Sequence, residues 1–481
     1  MKQEYKHKLL LPQKLMTWFV DIEQQPPKIT GFSIERMQYI VSTIVKHPQD
    51  KHPGAYSLLN MRYLENIVPG ASKYIQYLKK CGIIEYKNYM AGRNSRLYRL
   101  CKQHDGPTVF RTVTDNRFNR RIVENYNRMK LRNSKKYPML NSYVYAVSID
   151  YAEAMHTIDE HYNLTYQEDP MKVEAHRTYS LAEVDKINAK SIYIRVNATN
   201  GRYDTNFTRL PSELVPHLKI DGLPLTEIDI RNSQPFFAVA LFNPSPEVEA
   251  VMNDYLGSRL TMYIKSMQLS QFEDVKLYTS LVTSGTFYEF MLDKFKLNGI
   301  EYPDRAAAKE AVFTIYFGKN SAVNYSSAVK LFRSLFPNVY RLFEAIKEKE
   351  HNRLAILLQR IESHIILDIA AQRVLSELPD VKFITKHDSI LPAGLMVTDN
   401  VAEVSRILIE VVTEVVGAKP LLSIKTARAS SSSSFSSNRN KSTPSQSLYP
   451  LCSAKPCKLL RNKEKKGLCI VTGKQIGRAH V

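Results

Sequence analysis

Residues 381–393 read VKFITKHDSILPA, two short apolar runs on either side of a polar turn. This pattern predicts a β-hairpin whose turn carries His387 and Asp388. Upstream, LPLTEIDI (223–230) predicts a strand that delivers Asp229, and the following run SQPFFAVALF predicts a helix. Two carboxylates at neighbouring strand ends can hold two divalent cations about 3.5–4 Å apart. The alternative is that both are ordinary turn aspartates without a chemical role.

Between these segments, residues 303–319 read PDRAAAKEAVFTIYFGK. Pro303 and Asp304 favour the start of a helix, and Gly318 favours its end. Two cations and two aromatic residues recur every fourth position and therefore share one helix face: Arg305, Lys309, Phe313 and Phe317. Such a face can hold a nucleoside triphosphate, with its phosphates at the cations and its base or sugar at an aromatic ring. An amphipathic helix with its phenylalanines in the core is the alternative.

The order of the three segments resembles the polymerase motifs of the family A DNA polymerases, the bacterial polymerase I-like family. The single-subunit phage-type RNA polymerases are their relatives. The first family motif, an Asp at a strand end before a helix, matches DIRNSQPFF (229–237). The second, Arg-x3-Lys-x3-aromatic-x3-Tyr-Gly, matches the helix that ends at Phe317-Gly318. The third is a His-Asp turn, matched by His387 and Asp388.

Two further features extend the resemblance over residues 200–425. The family often has Thr-Gly-Arg and a later Leu-x-x-(Ile)-Pro, and NGRYDTNFTRLP places Gly201-Arg202 and Leu210-Pro211 comparably. A helix comparable to residues 355–375 also precedes the third family motif. The resemblance implies an α+β right-hand polymerase of palm, fingers and thumb.

The resemblance also implies a role for each matching residue. Asp229 and Asp388 would ligate two Mg²⁺ ions, with Mn²⁺ as an alternative, and the Ile230 carbonyl would assist. Lys309 would neutralise or protonate the leaving pyrophosphate. The remaining nucleotide-binding residues would be Arg305, Phe313, Phe317 and Gln234. His387 and Arg202 would contact the primer-template.

Three departures from the family pattern concern the sugar of the nucleotide. Gln234 stands where DNA-making members usually carry Glu, and Phe317 stands where the family has Tyr. Ser389 follows the His-Asp pair, as in the RNA enzymes. We favour a DNA polymerase because DIRNSQP lacks the glycine-rich character of the RNA enzymes' first motif. The alternatives are a single-subunit RNA polymerase or primase-like enzyme, and a non-catalytic replication initiator.

Residues 1–100 have a helix-rich pattern followed by a hairpin. Apolar spacing predicts helices over 32–46 and 58–67, and Ser72 is the expected N-cap of a third helix that ends at Gly82. Two alternating runs about residues 92–94 predict the hairpin. This order resembles a winged helix that binds duplex nucleic acid through basic residues on its third helix and wing: Lys73, Lys79, Lys80, Arg93, Arg96 and Arg99. A structural or protein-docking module is the alternative.

Residues 101–190 are polar, and we expect a mainly helical, thumb-like region. Eight cations and one acid lie between residues 117 and 136, interleaved with Phe118 and Tyr126. Such a density suits a surface that contacts phosphates, with an affinity that falls as salt rises. The predicted primer-template contacts here are Arg117, Arg120, Arg121 and Arg128. A solvated charged face is the alternative.

The overall composition sets outer limits on the class of protein. The 481 residues include 67 Lys and Arg against 47 Asp and Glu, a net charge of +20, which favours a polyanionic partner. Five scattered cysteines favour a reducing, cytoplasmic location, and no apolar run is long enough for a membrane span. We expect residues 191–425 to be the polymerase core, without a proofreading exonuclease. The oligomeric state is left open.

Residues 426–481 differ in composition from the rest of the chain. They are rich in serine and carry eleven Lys and Arg against one acid, so half of the net charge lies there. Such a segment cannot form a core, and we expect a disordered tail. Its closing QIGRAHV also matches what a common sequencing adapter encodes, which favours a frameshift or adapter artefact.

Overall fold

Two groups of buried side chains give the molecule two hydrophobic cores. The computed structural model describes residues 6–47, 55–87, 96–303, 305–395 and 399–425. The first core takes its side chains from residues 9–122, and the second takes nearly all of its side chains from residues 140–416. Helices and small antiparallel sheets contribute to both, so the fold is mixed α and β, in agreement with the expected class. The expected tail lies outside the described residues.

The N-terminal core is built from helices and a three-stranded antiparallel sheet. Its elements are β1 (Lys8–Pro12), α1 (Met16–Gln24), α2 (Ile34–Lys46), β2 (Ser57–Leu58), α3 (Met61–Ile67), α4 (Ala71–Lys80), β3 (Ile84–Lys87) and β4 (Leu97–Leu100). The sheet order is β2-β4-β3. The three predicted helices and both hairpin strands are confirmed, while the predicted turn at residues 92–94 lies outside the described residues. Strand β2 was not predicted because two residues carry no periodicity.

The predicted start of the third helix is wrong by two residues. Gly70, not Ser72, is the N-cap of α4, and it adopts a left-handed conformation with φ of 76°. The Glu65 carboxylate accepts hydrogen bonds from the backbone N–H groups of Gly70 (2.8 Å) and Ser72 (3.0 Å). A side chain from α3 therefore caps the free N–H groups at the start of α4, in place of the expected Ser72 side chain.

The following region is mainly helical, as predicted. It contains β5 (Thr108–Thr112), α5 (Asn116–Arg132), α6 (Pro138–Ala146), β6 (Ser148–Ile149), α7 (Tyr151–Thr165) and α8 (Pro170–Asn188). Strand β5 pairs antiparallel with β1. The buried Glu35 of α2 accepts hydrogen bonds from the backbone of Thr114 and Asp115, just before α5 begins. These contacts fix α5 against the N-terminal core.

Five short strands follow α8 and contribute to the second core. They are β7 (Ile194–Val196), β8 (Tyr203–Thr205), β9 (Leu218–Ile220), β10 (Leu223–Pro224) and β11 (Glu227–Ile230). The single strand predicted over residues 223–230 is therefore wrong in its extent. The chain leaves the β6-β9-β10 sheet at Leu225, and Thr226 donates its backbone N–H to Pro392 in the next sheet. One apolar run thus serves two sheets, which periodicity alone does not reveal.

A set of helices follows β11. They are α9 (Ser233–Phe237), α10 (Pro246–Leu256), α11 (Ser258–Ser266), α12 (Glu273–Thr283), α13 (Phe287–Leu297), α14 (Arg305–Phe317), α15 (Ser327–Leu335), α16 (Pro337–Lys347), α17 (Arg353–Ser363) and α18 (Ala371–Glu377). A π-helical segment, His364–Ala370, joins α17 to α18. The predicted helices after Asp229, over 303–319 and over 355–375 are confirmed.

The last elements complete an antiparallel sheet of four strands. They are β12 (Phe383–Lys386), β13 (Ser389–Pro392), α19 (Asp399–Val416) and β14 (Leu422–Lys425), and the strand order is β12-β13-β11-β14. The predicted hairpin with His387 and Asp388 in its turn is confirmed. Helix α19 packs against this sheet and buries Val404, Leu408 and Val411, which lie three or four residues apart. None of the described helices is both long and apolar enough to cross a bilayer.

Candidate active site

Strand pairing brings the two predicted aspartates together. Asp229 of β11 lies opposite Ser389 of β13, the residue that follows Asp388. The Ser389 hydroxyl donates a 2.9 Å hydrogen bond to Asp229 Oδ1. Because neighbouring side chains on β11 point to opposite faces, Ile228 and Ile230 are buried in the core while Asp229 remains partly exposed. The sheet therefore presents two carboxylates side by side.

The hairpin turn holds His387 in an unusual backbone conformation. Its φ of 56° is left-handed, a region that few non-glycine residues occupy. Burial, with the positive charges of Arg202 and Lys386, lowers the pKa of His387 to about 3. The ring is therefore neutral near pH 7, and its shielded Nδ1 has no hydrogen-bond partner among the described residues.

Asp388 lies in a strongly acidic environment. Burial and the nearby carboxylates of Glu362 and Asp229 together raise its pKa to about 8. The Ser233 side chain hydrogen-bonds to Asp388 and opposes this rise. Carboxylates that crowd each other in this way favour binding either a proton or a metal cation. We call Asp229, Glu362 and Asp388 the acidic site.

Glu362 was not predicted from the sequence. It lies near the end of α17, its side chain is 1% exposed, and burial raises its pKa. Arg202 donates to both carboxylate oxygens, from Nε (2.9 Å) and Nη2 (3.0 Å). Gln234 Nε2 donates to Glu362 Oε2 at 2.6 Å. One signal was available: Glu362 is an acid between Ile361 and the apolar run Ile365–Leu367, where a buried acid needs partners.

A short loop places Arg202 beside α17. Gly201 adopts φ of 74°, and a Cβ on it would lie 3.3 Å from Ser363 Cβ, so the loop depends on glycine there. Arg360 Nε donates to the Thr199 carbonyl at 2.7 Å, and Ser363 Oγ donates to the Asn200 carbonyl at 3.2 Å. The loop and the helix therefore form one hydrogen-bonded unit that carries Arg202.

Helix α14 carries the predicted stripe, but its two halves differ. At the first half, Arg305 starts the helix, and its side chain lies outside the described residues. Lys309 is exposed, with Nζ 5.4 Å from the ring centroid of Tyr288 and 5.6 Å from that of Phe313. Phe313 and Phe317 are half-buried. Their burial is therefore intermediate between that of the predicted exposed stripe and that of the alternative, a face packed in the core.

The second half of α14 is fixed to the helix that follows Asp229. Tyr278 OH donates to the Pro235 carbonyl at 2.9 Å and lies 2.7 Å from Tyr316 OH. Because the Tyr278 proton is used at Pro235, Tyr316 is the donor in that second bond. Lys347 Nζ donates to the carbonyls of Ile315 (2.8 Å) and Gly318 (3.3 Å) at the end of the helix.

The predicted basic segment forms an exposed face on α5. Its guanidinium groups are exposed, and none makes an ion pair with a carboxylate in the part of the chain that the structure describes. We call this set the basic face: Arg117, Arg120, Arg121 and Arg128. Phe118, expected to accompany these cations at the surface, is 2% exposed and belongs to the N-terminal core with Ile122, four residues on. It is therefore not available to stack on a base.

The predicted site residues fall into three groups. Asp229, Asp388, Gln234, His387 and Arg202 lie together, and Ile230 ends the same strand as Asp229. The residues of α14 and those of the basic face form the other two groups. Among the described residues, no hydrogen bond or ion pair joins one group directly to another.

Comparison with known proteins adds little. No protein-family model matches the sequence, and no curated protein matches it either. Among solved structures, the chain is similar to the POL domain of Pol1 from M. smegmatis, in a complex with DNA primer-template and dNTP. The sequence identity is 10% and the TM-score is 0.32, over 64% of this chain and 72% of that one. At this score the likeness carries no argument, so the functional case rests on the site.

Proposed function

We propose that this protein is a template-directed nucleotidyltransferase, a DNA polymerase. One observation carries the proposal. Asp229 and Asp388 lie 159 positions apart in the sequence and come together where β11 pairs with the hairpin whose turn carries Asp388, with a third carboxylate, Glu362, beside them. Paired carboxylates at the edge of a sheet are the ligands that two-metal phosphoryl transfer requires.

The acidic site fits divalent magnesium. Its donors are carboxylate oxygens, which hard cations prefer, and a bound divalent cation would relieve their mutual repulsion. Asp229 and Asp388 would hold two Mg²⁺ or Mn²⁺ ions, with the Ile230 carbonyl assisting. Bound there, the ions would supply Lewis-acid stabilisation of the transferring phosphoryl group.

The residues of α14 would bind the incoming nucleotide. Lys309 and Arg305 would hold the triphosphate, and Lys309 would neutralise charge on the leaving pyrophosphate. Phe313 and Phe317 would contact the base or sugar. Supporting this role, Lys309 is exposed and free of a described carboxylate partner, while Tyr278 and Tyr316 fix the same helix close to α9. A cation so placed remains available to phosphate.

Gln234 and Glu362 would shape the sugar pocket. Gln234 occupies the position where DNA-making relatives usually carry Glu, and here its amide is bonded to the Glu362 carboxylate. Glu362 of α17 would therefore supply the carboxylate that Gln234 lacks, and the hydrogen bond between them would hold the Gln234 side chain in one position. Ser389, typical of the RNA enzymes, is occupied in orienting Asp229. Both observations favour deoxynucleotides.

The primer-template would lie near Arg202 and His387 and extend to the basic face as a thumb-like surface. Arg202 uses Nε and Nη2 on Glu362, so its Nη1 group remains for the nucleic acid. In the N-terminal core, the order helix, strand, helix, helix, strand, strand around the β2-β4-β3 sheet supports a winged-helix-like DNA-docking module.

Extension of a labelled primer tests the proposal. We expect the purified protein to extend a DNA primer on a DNA template with dNTPs and Mg²⁺, and to use rNTPs poorly. An RNA template and Mn²⁺ are tested in parallel. Synthesis with rNTPs alone would contradict the DNA polymerase in favour of the RNA polymerase alternative. Nucleic-acid binding without synthesis under any condition would favour a non-catalytic initiator.

A further inference from the structure

A second cluster of potential metal ligands lies on elements that the acidic site does not use. His161 on α7, His176 on α8 and Glu213 in the 3-10 turn Ser212–His217 place their ligand atoms within 4.8 Å of one another. The two imidazole rings face each other with centroids 4.8 Å apart and an interplanar angle of 31°. The three residues lie on three separate elements and form no local motif, so no sequence pattern indicates them.

The Glu213 carboxylate faces this cluster with few other partners. Its Oε1 is shielded from solvent, lies 3.1 Å from His176 Nε2 and has no other hydrogen-bond donor among the described residues. Its Oε2 contacts the hydroxyl of the adjacent Ser212 at 3.4 Å. The nearby Arg177 is directed to Asp159 at 2.9 Å and does not compete.

A simple ion pair between His176 and Glu213 does not account for His161. If both rings were protonated, two positive charges would face each other at close range. A cation held by all three residues uses every group and removes that repulsion. Two imidazoles and one carboxylate are a ligand set for zinc, with water in the remaining position. Donors around tetrahedral zinc lie about 3.3 Å apart, so binding would draw the side chains together.

We propose that His161, His176 and Glu213 form a binding site for a transition-metal ion of the zinc type, separate from the magnesium-type acidic site. The metal joins the α7–α8 hairpin to the turn that leads into β9. Because β9 pairs with both β6 and β10, the bound ion would stabilise the packing of that helical hairpin on the small sheet. The site does not depend on the proposed polymerase activity.

Metal content tests the proposal directly. The full chain is used with Cys452, Cys457 and Cys469 changed to serine, so that the thiolates of residues 426–481 cannot bind the metal. After treatment with EDTA, it is dialysed against Zn²⁺ and its zinc content is measured. We expect one zinc per chain and a higher melting temperature than in EDTA. His161→Gln, His176→Gln and Glu213→Gln should each abolish stoichiometric binding.

His156→Gln is the matched control, since His156 is exposed on the same helix α7 and lies outside the cluster. It should retain full zinc content. Melting in EDTA, where no variant has metal, shows whether each variant is folded. Co²⁺ should give visible d–d bands in the parent, and these bands should be lost in the three ligand variants.

Several outcomes would overturn the site. The parent failing to retain zinc is one, and the three ligand variants retaining as much zinc as His156→Gln is another. Displacement of the zinc by excess Mg²⁺, or its loss in Asp388→Asn, would place the ion at the acidic site instead. Zinc binding that survives in Asp388→Asn, whatever the polymerase activity, supports the separate site.

Discussion

The acidic site and the basic face carry opposite charges and are built in opposite ways. Each carboxylate of the acidic site is tied to another element, Asp229 to β13, Asp388 to α9 and Glu362 to both α9 and the loop before β8. The arginines of the basic face are exposed on one helix and make no ion pair with the described carboxylates. Chemistry that depends on position requires the first arrangement, whereas attraction to a flexible polyanion requires only the second.

The largest effect is expected at Asp388. Asp388→Asn removes one proposed metal-ligand charge, and a loss of about 4 kcal/mol of transition-state stabilisation corresponds to an approximately 10³-fold fall in primer-extension rate. Asp380→Asn, at an exposed position just before the same hairpin, should leave the rate unchanged. A fully active Asp388→Asn enzyme would show that the acidic site is not where the catalytic metal ions bind.

A substitution at Glu362 tests whether burial and hydrogen bonds to other elements make protein stability sensitive to a single change in the acidic site. Glu362→Ala leaves Arg202 and Gln234 without their shared acceptor, and breaking such a buried pair costs about 3–5 kcal/mol of unfolding free energy. Glu377 is an exposed glutamate on α18 that pairs with Arg406 of α19, and Glu377→Ala should cost about 1 kcal/mol or less of unfolding free energy. Urea denaturation measures both. If both variants lose the same unfolding free energy, the hydrogen bonds from Arg202 and Gln234 to Glu362 contribute no more than an exposed ion pair.

The sequence predicted those parts of the site that depend on local pattern. The His387-Asp388 turn and α14 were found because alternation and capping residues mark their ends. Glu362 and its partners were missed because their contacts join residues 128 and 160 positions apart, which no local pattern encodes. Phe118 was misplaced for a related reason: it neighbours arginines along the chain but faces the core on the helix. The split of residues 223–230 between two sheets likewise depends on long-range pairing.

Helix α14 combines features of the acidic site and the basic face, because one of its ends is held by hydrogen bonds and the other is exposed. Tyr278→Phe removes the hydroxyl that links Tyr316 to Pro235, and a lost buried hydrogen-bonding group costs about 1–3 kcal/mol. The exposed Tyr263→Phe on α11 should change stability by no more than about 0.5 kcal/mol. Thermal or urea unfolding measures both changes. A Tyr278→Phe protein as stable as the control would mean that this end of α14 is held by packing alone.

The smallest effect on the folded protein is expected at the basic face. Arg120→Gln with Arg121→Gln should leave the unfolding free energy nearly unchanged, because both side chains are exposed. If each contacts a phosphate, the slope of log affinity against log salt for duplex DNA should fall by about 1.8. Fluorescence anisotropy at several salt concentrations gives this slope. Lys296→Gln on α13 with Lys330→Gln on α15, both exposed, controls for the general loss of charge.

The π-helical segment His364–Ala370 gives the chain a particular sensitivity to insertion and deletion. Before it, Glu362 faces Arg202 and Gln234; within it, Asp368 accepts a 2.6 Å hydrogen bond from Tyr137 OH, just beyond the end of α5. A π turn holds one residue more than an α turn, and each residue rotates an α-helix by about 100°. Removing a single residue here would convert the wide turn to an α turn and change the position of Asp368 relative to Glu362, so that the contact with Tyr137 would be lost. Substitutions in this segment alter one contact at a time, but its length is fixed by two distant partners at once.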